Sequence, residues 1–271
     1  MFRSLIALAA VSAVLACPQD NSNVRVAGLQ KRAEEVAPSP WTYEGARTWG
    51  NTAGVNGSEV CQLGMTQSPI NLPFGQYSRV HIPTLNYTTV SGKLSNWGYG
   101  IQFMLNKTNG RDYTGNPTLT DGEQVYYLHS FHTHTPSEHR INGERSHGEL
   151  HLVHADAEGK PKGVLGLRIN PSENESPFIA QVLGCPGVDS TAVKYVENID
   201  MVKALDEVDH VRKFWTYKGS LTTPPCGEGL RWWVAENVLQ VSDTQMQNLL
   251  GVSLYSSRTE QNVWRHDVNQ L

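Results

Sequence analysis

Residues 128–138 read LHSFHTHTPSE, an apolar and aromatic run with three histidines that ends at a proline. Such a run is typical of a β-strand that leads into a turn. Because alternate residues of a strand face the same side, Ser130, His132 and His134 are expected on one face. Two imidazoles on one face can bind one metal ion.

A second strand is predicted at residues 148–155, which read GELHLVHA. Alternation puts Glu149, His151 and Val153 on one face of this strand. The opposite face carries Leu150, Leu152 and His154. If the two strands pair antiparallel, His151 joins the first two histidines as a third ligand, and Glu149 lies beside it.

Three histidines in this arrangement favour zinc. Neutral imidazoles suit Zn²⁺, and three protein ligands leave a fourth tetrahedral position open for water, which distinguishes a catalytic site from a closed structural one. Metal-bound histidines commonly donate their other ring proton to a carboxylate, so Glu149 is a candidate partner. Spacing alone leaves another interpretation open, a surface group of histidines that binds metal adventitiously.

The rest of the chain also favours strands over helices. Runs rich in β-branched and aromatic residues recur between Gly, Pro and Asn, which predicts strands at 79–90, 99–106, 124–134, 148–155, 163–169, 212–217 and 230–235. Helical periodicity occurs only around 177–183, 200–206 and 242–250, where Ser242 is a candidate N-cap. The sequence therefore predicts a mainly β fold of the α+β type with a few short helices.

Composition excludes some classes of partner. The 271 residues are 39% hydrophobic, enough for one sizeable core. The formal net charge of −4 provides no basic surplus for nucleic acid or anionic membranes. Beyond the N-terminus, no stretch approaches the roughly 18 apolar residues of a membrane span. We expect neither a nucleic-acid partner nor a membrane span, and the sequence does not indicate the oligomeric state.

The N-terminus is typical of an exported protein. Residues 1–16 combine an early arginine, a short apolar run and small residues, which predicts a signal peptide; a buried N-terminal helix is the alternative. Residues 17–40 are interpreted as a pro-segment or disordered region, cut after Arg32, so that the catalytic domain spans residues 41–271. Secretion to an extracellular compartment follows from this interpretation.

Sequons and cysteines agree with export. Asn-x-Ser/Thr sites that could carry glycans occur at Asn56, Asn86, Asn106 and Asn174. The four cysteines, at positions 17, 61, 185 and 226, form no C-x-x-C pair. In an oxidising compartment they predict a disulfide rather than a thiolate metal site.

Several motifs in order give the chain a family resemblance over most of residues 41–261. They are Gln67–Asn71 (QSPIN), His132–His134 (HTH), Ser137–His139 (SEH) followed by Ile141–Gly143 (ING), Glu149–His154 (ELHLVH) and Ser220–Cys226 (SLTTPPC). With these motifs the sequence resembles the α-class carbonic anhydrases, in particular secreted microbial members. The resemblance implies a single domain around a large, twisted, mostly antiparallel sheet, with zinc at the base of a conical cleft. It also implies a lyase activity, the zinc-dependent reversible hydration of carbon dioxide to bicarbonate and a proton by zinc-bound hydroxide.

Residue roles follow from the same resemblance. His132, His134 and His151 are the implied zinc ligands, and the Thr222 hydroxyl is implied to orient the hydroxide while it donates to Glu138. The implied apolar wall that holds carbon dioxide is formed by Val153, Val164, Leu221, Thr223 and Trp232. Without the resemblance, Glu138 and the threonines are turn residues and the wall is core packing. Cys61 and Cys226 match a disulfide of exported members, which leaves Cys185 without a clear partner.

Three positions depart from the family pattern. Ser130 stands where a glutamine often supports the first zinc ligand, so a bridging water is expected there. Thr133 replaces a frequent aromatic residue between the first two ligands. Tyr99 occupies the position of a proton-shuttle histidine. Because the ordinary pKa of tyrosine is about 10, against about 6.5 for histidine, we expect proton export through Tyr99 to be slow. Another nearby histidine is the alternative carrier of protons.

Two other functions compete with this interpretation. A non-catalytic binding module that keeps the fold is one, although the three histidines and the pair Thr222 and Glu138 are all present. A zinc hydrolase of esters or peptides is the other, but no H-E-x-x-H helix motif occurs in the sequence. Stoichiometric zinc and carbon dioxide hydration distinguish the enzyme from both.

Overall fold

Strands dominate residues 40–271, the part of the chain that the computed structural model describes. The strands are β1 (Asn71–Leu72), β2 (Thr84–Asn86), β3 (Thr89–Asn96), β4 (Ile101–Leu105), β5 (Thr118–Asp121), β6 (Gln124–His134), β7 (Arg140–Ile141), β8 (Glu144–Arg145), β9 (Gly148–Ala155), β10 (Pro161–Ser172), β11 (Lys194–Asp200), β12 (Phe214–Ser220), β13 (Glu228–Ala235) and β14 (Leu239–Ser242). The α-helices are α1 (Val60–Leu63), α2 (Val202–Asp206) and α3 (Asp243–Gly251), and short 3-10 helices span Ala46–Asn51, Ile179–Gln181 and Asp209–Val211.

One large sheet organises the fold. Its 11 strands follow the order β11-β3-β4-β6-β9-β10-β13-β12, with β14 paired to β10 and β2 attached through β5 to β6. Neighbouring strands run antiparallel except where β10 meets β13 and β14. A separate sheet of 3 strands joins β1, β7 and β8. The predicted fold class, mainly β with a large, mostly antiparallel sheet and short peripheral helices, is confirmed.

The two strands with the sequence motifs lie at the centre of this sheet. All 8 residues of β9 are buried, and β6 is buried along most of its second half. On one face Leu128, Phe131, Leu150 and Leu152 enter the main core, together with residues of α2 and α3. The other face of the same strands is left to the polar residues of the site.

The predicted strand at 79–90 is wrong in its first half. Ser78 and Val80 form a tight turn in which the serine hydroxyl contacts both the N–H and the carbonyl of Val80. His81 follows with φ of 52°, a left-handed conformation that interrupts regular strand pairing, and Pro83 cannot donate to a ladder. Pairing therefore begins at Thr84 and continues through β3, whose serine, lysine and asparagine residues give little strand signal.

The helix predictions are confirmed to different degrees. Ser242 is the N-cap of α3: its Oγ accepts from the N–H of Gln245, and the Gln245 side chain accepts from the N–H of Ser242. Helix α2 lies within the predicted segment 200–206. The segment 177–183 contains only the short 3-10 turn Ile179–Gln181.

Part of the sequence-based picture lies outside the described residues. The expected signal peptide at 1–16, residues 17–39 of the expected pro-segment, and Cys17 belong to this part. Within residues 40–271, no helix is both long and apolar enough to cross a membrane.

Candidate metal centre

The antiparallel pairing of β6 and β9 brings three histidines together. His132 lies opposite His151, and His134 lies opposite Glu149. Each histidine offers one ring nitrogen, and these nitrogens of His132, His134 and His151 all lie within 4.8 Å of one another. The grouping expected from strand alternation is therefore present in the fold.

A backbone carbonyl fixes the tautomer of His134. Its Nδ1 lies 2.6 Å from the carbonyl oxygen of Ser256, which can only accept a hydrogen bond, so Nδ1 carries the proton. Nε2 must then offer a lone pair. This atom is buried and has no hydrogen-bond partner among the described residues. A buried nitrogen lone pair without a donor is what a metal ligand requires.

Glu149 fixes the tautomer of His151 in the same way. Nε2 of His151 lies 3.0 Å from Oε1 of Glu149, and the carboxylate accepts its proton. Nδ1 is left with the lone pair, and it lies 3.9 Å from Oε2 of Glu138. The candidate ligand atoms of His134 and His151 thus differ: the distant Ser256 carbonyl sets the first, and Glu149 on the same strand sets the second.

The Glu149 carboxylate is held by four hydrogen bonds. Besides His151, it accepts from Nδ1 of His139 at 2.6 Å and from the backbone N–H groups of Glu138 and His139 at 2.9 and 2.8 Å. Burial by itself raises the pKa of Glu149, but the electrostatic interactions and hydrogen bonds with His139 and His151 hold it well below its usual range. Gly166 makes room for the carboxylate, because a Cβ there would lie 2.9 Å from Oε1.

The protonation of the three histidines fits zinc. Burial lowers the pKa of His132 to about 3, and it lowers the pKa of His134 and of His151 below the ordinary value. All three rings are neutral at neutral pH, the form that binds a metal. Three neutral imidazoles on one face, with the lone pairs of His134 and His151 fixed by hydrogen bonds, fit a Zn²⁺ ion with its fourth position open.

Glu138 lies beside the ligand nitrogens. Its Oε2 is 3.5 Å from Nε2 of His134, and its Oε1 accepts from the backbone N–H of Arg258 at 2.8 Å. Burial raises the pKa of Glu138 to about 8, while hydrogen bonds from the Thr222 side chain and the Arg258 backbone act to lower it. Thr222 is itself buried, in the loop after β12. The structure therefore brings together the two residues that the resemblance paired.

An apolar row runs next to the histidines across the sheet. Successive strands align Ser130 with Val153, Val153 with Val164, and Val164 with Trp232. The Trp232 ring lies 4.8 Å from that of His151. Leu221 packs against the cluster that contains Val164 and Trp232, and Thr223 is half-buried in the same loop as Thr222.

Comparison with known proteins agrees with this geometry. A sequence profile described as eukaryotic-type carbonic anhydrase matches residues 44–269. The chain belongs to the carbonic anhydrase family. Alpha carbonic anhydrase 4 of Arabidopsis thaliana is 33% identical over 221 residues, covering 78% of this chain and 76% of that protein. The carbonic anhydrase of Klebsiella pneumoniae is 33% identical over 214 residues, covering 78% and 82%.

A solved structure of the family has the same fold. The α-carbonic anhydrase of Thermovibrio ammonificans, in complex with the inhibitor sulfanilamide, has a TM-score of 0.72 and 27% identity, and the match covers 84% of this chain and 96% of that one. The chain is therefore a carbonic anhydrase by family, an enzyme that acts on carbon dioxide and bicarbonate.

In this carbonic anhydrase, Tyr99 belongs to an aromatic group at the edge of the site. Its ring stacks 6.0 Å from Trp41 and lies 4.9 Å from Tyr43 and 5.1 Å from Trp97. Burial, followed by the nearby Glu44 carboxylate, raises the pKa of Tyr99 above its ordinary value. A phenol in this position is poorly suited to accept and release a proton near neutral pH.

The other two departures have structural consequences. Ser130 places its Oγ 3.0 Å from Nδ1 of His129, and it makes no direct hydrogen bond to His132 among the described residues. The Thr133 hydroxyl accepts a hydrogen bond from the backbone N–H of Ile101. The backbone carbonyl of Thr133 accepts another from Nε1 of Trp97, at 3.3 Å. The Trp97 ring lies 5.8 Å from His132 and 5.4 Å from His134, so it fills space beside the ligands.

The cysteines pair as the resemblance implies. Cys61 and Cys226 form a disulfide that joins residues 165 positions apart. It connects the short helix α1 to the loop that carries Thr222. Cys185 is buried and free among the described residues.

The sequon residues Asn56, Asn86, Asn106 and Asn174 are all exposed.

Sequence reasoning missed several residues that support the site. His139 links Glu149 to the buried Tyr217 hydroxyl, with its Nε2 2.7 Å from that oxygen. The Ser256 carbonyl and the Arg258 N–H come from a segment without regular secondary structure. Any residue type can make such a backbone contact, so the sequence does not indicate it. The signal that could have found His139 is its place in the SEH motif, next to Glu138.

Proposed function

We propose that this chain catalyses the zinc-dependent reversible hydration of carbon dioxide, with Zn²⁺ held by His132, by Nε2 of His134 and by Nδ1 of His151. The observation that carries the proposal is the buried, unpartnered Nε2 of His134, whose tautomer is fixed by the Ser256 carbonyl. Oε2 of Glu138 lies 3.5 Å from this nitrogen, and the nitrogen accepts no hydrogen bond among the described residues. The neutral state of all three rings supports the same assignment.

Zinc bound here would lower the pKa of a coordinated water and supply the hydroxide that adds to carbon dioxide. Glu149 supports the ligand set by accepting the proton on His151 Nε2, which keeps the opposite nitrogen free. The Ser256 carbonyl does the same for His134. These partners fix ring orientation before any metal arrives, which lowers the cost of ordering the site.

Thr222 and Glu138 are proposed to orient the nucleophile. A hydroxyl has one proton, and an ionised carboxylate can only accept it, so Thr222 donates to Glu138 and directs a lone pair towards the metal position. The pKa of about 8 for Glu138 belongs to the protein without metal. A divalent cation nearby favours the ionised carboxylate, so metal binding and this hydrogen bond support each other.

The apolar row is proposed to hold carbon dioxide beside the nucleophile. Val153, Val164 and Trp232 are at most 7% exposed and form a surface one row from the histidines. Leu221 and Thr223 continue that surface from the loop that carries Thr222. A small apolar substrate gains from such a surface without hydrogen bonds, while the charged product bicarbonate does not, which favours its release.

Export and glycosylation are also proposed. The exposure of Asn56, Asn86, Asn106 and Asn174 supports access by the glycosylation machinery, and the disulfide supports an oxidising compartment. Asn106 donates to the Tyr195 hydroxyl at 2.7 Å through Nδ2, the atom to which a glycan would be attached. Mass spectrometry of protein secreted by a eukaryotic host tests the cleavage site and each sequon.

The decisive experiment combines zinc analysis with stopped-flow carbon dioxide hydration. We expect one zinc per chain, and hydration that is lost on chelation and restored by zinc. A protein without zinc and without hydration would indicate a binding module instead. A zinc protein that cleaves esters but does not hydrate carbon dioxide would indicate a hydrolase. Either result overturns the proposal.

A further inference from the structure

β6 contains a bulge at His129, three residues before the first candidate zinc ligand. Leu128 pairs with His154 and Ser130 pairs with Val153, so β6 has one residue more than β9 over this step. In a bulge, two residues oppose one residue of the partner strand, and the side chain of the extra residue is redirected. Leu128 and Phe131 both enter the main core. His129 and Ser130, between them, are therefore expected on the opposite face of β6, which carries the histidines of the metal site.

The side chains of His129 and Ser130 meet on that face. Nδ1 of His129 lies 3.0 Å from Oγ of Ser130. Ser130 is the first member of the row that continues through Val153, and His132 lies two residues further along the same face. A serine hydroxyl both donates and accepts, so Ser130 can pass a proton between water at the metal site and the imidazole. Along a strand, three residues span roughly 10 Å.

The surroundings of His129 keep its ring neutral and close to solvent. The side chain is half-buried, and its ring lies 4.7 Å from that of Tyr113. Burial, followed by the positive charge of Lys107, lowers the pKa of His129 below its ordinary value. Lys107 itself lies over the Tyr113 ring at 5.6 Å. A neutral imidazole can accept a proton, and these neighbours favour its rapid release to a buffer.

We propose that His129, through Ser130, takes up the proton that carbon dioxide hydration releases and transfers it to solvent. The proposal rests on the proposed function. Carbon dioxide and water give bicarbonate and one proton. That proton reaches Nδ1 of His129 through water and the Ser130 hydroxyl, the ring gives one proton to a buffer base, and the neutral imidazole is regenerated.

The alternative group, Tyr99, is less suited to this task. Its raised pKa and its packing against Trp41, Tyr43 and Trp97 oppose both uptake and release of a proton. His129 offers a half-buried imidazole that contacts the Ser130 hydroxyl on another part of the same site. The two positions therefore make opposite predictions for mutants.

The test compares His129→Gln, Ser130→Ala and a control, His210→Gln, in stopped-flow assays at low buffer concentration. His210 is an exposed histidine paired with Asp206, outside the site. We expect kcat of His129→Gln to fall by roughly 10-fold to 10²-fold with kcat/KM unchanged, and Ser130→Ala to follow in part. Imidazole buffer should restore kcat of His129→Gln, while His210→Gln should match the wild type.

A second measurement is independent of turnover. In ¹⁵N NMR spectra of the protein before and after zinc loading, Ser130→Ala should shift the Nδ1 resonance of His129, because it removes the hydrogen-bond partner. If Nδ1 does not shift, or if kcat of His129→Gln equals that of the wild type at low buffer, the inference is wrong. If wild-type protein with zinc does not hydrate carbon dioxide, the proposed function fails instead.

Discussion

The histidine floor and the aromatic rim of the site are built by different forces. In the floor, formed by His132, His134, His151 and Glu149, hydrogen bonds assign the ring protons of His134 and His151. In the rim, formed by Trp41, Tyr43, Trp97 and Tyr99, the rings pack edge-on or stacked at 4.9–6.4 Å. Directional hydrogen bonds fix the orientation and protonation of individual ring atoms, whereas the packing of aromatic rings fixes only the space that the side chains fill. We therefore expect the floor to tolerate almost no substitution and the rim to tolerate conservative ones.

The largest effect is expected at the floor itself. His151→Ala removes one of three nitrogens, and two remaining ligands hold zinc loosely. Tight zinc binding and carbon dioxide hydration should be lost together, as measured by metal analysis after dialysis and by stopped-flow assay. The matched control is His147→Ala, an exposed histidine that contacts Asn170. If His151→Ala kept both properties, the ligand set would have to be reassigned.

Thr222→Ala should separate metal binding from rate. The substitution leaves the three histidines intact but removes the hydroxyl that orients the nucleophile, so zinc content should not change. A loss in kcat/KM of about 10²-fold, equal to about 2.7 kcal/mol, is expected for one preorganised hydrogen-bond partner. Thr222→Ser, which retains the hydroxyl, should recover most of the rate. Equal kcat/KM in Thr222→Ala and the wild type would rule out this role.

Glu149→Gln should weaken the floor without removing a ligand. An amide has only one acceptor oxygen, so it cannot accept from His139 and His151 and also from the backbone N–H groups of Glu138 and His139, and His151 loses its fixed orientation. Zinc affinity should fall by about 10-fold to 100-fold in a chelator competition assay. Glu144→Gln, at an exposed carboxylate, is the control. Unchanged affinity would mean that the backbone alone positions His151.

The smallest effect is expected at the rim. Tyr99→Phe keeps the ring among its aromatic neighbours and removes only the hydroxyl, whose raised pKa makes it a poor proton carrier. We expect kcat at low buffer to change by less than about twofold. A larger loss would show that the Tyr99 hydroxyl carries protons, and the contrast between floor and rim would then no longer hold.

The fold was predictable where residue type and spacing alternate clearly. His132, His134 and His151 were found because two residues along a strand share a face, and Ser242 because an N-cap requires a particular side chain. The edge strand β11 was missed because its residues are mostly exposed and polar, and its pairing depends on β3 rather than on its own sequence. The alternation of apolar and polar residues indicates a strand only when one of its faces is buried, so a mostly exposed strand such as β11 is not detected.

The grouping of the three histidines in the candidate site was predictable, but the contacts that support them were not. Alternation placed His132 and Glu149 on the correct faces, yet no pattern in residues 128–138 indicates the extra residue at His129, because a bulge is visible only against the partner strand. The contacts from the Ser256 carbonyl and the Arg258 amide involve the backbone, which every residue type provides. Such contacts depend on how the whole chain folds.

The long reach of these backbone contacts also bears on the order in which the site can form during synthesis. Ser256 bonds to His134 across 122 residues, and Arg258 bonds to Glu138 across 120. At about 5–20 residues per second, a ribosome completes the three histidines several seconds before it reaches Ser256. Until then the His134 ring can exchange its proton between both nitrogens. The hydrogen bond that fixes this tautomer is therefore available only after the chain has passed Ser256.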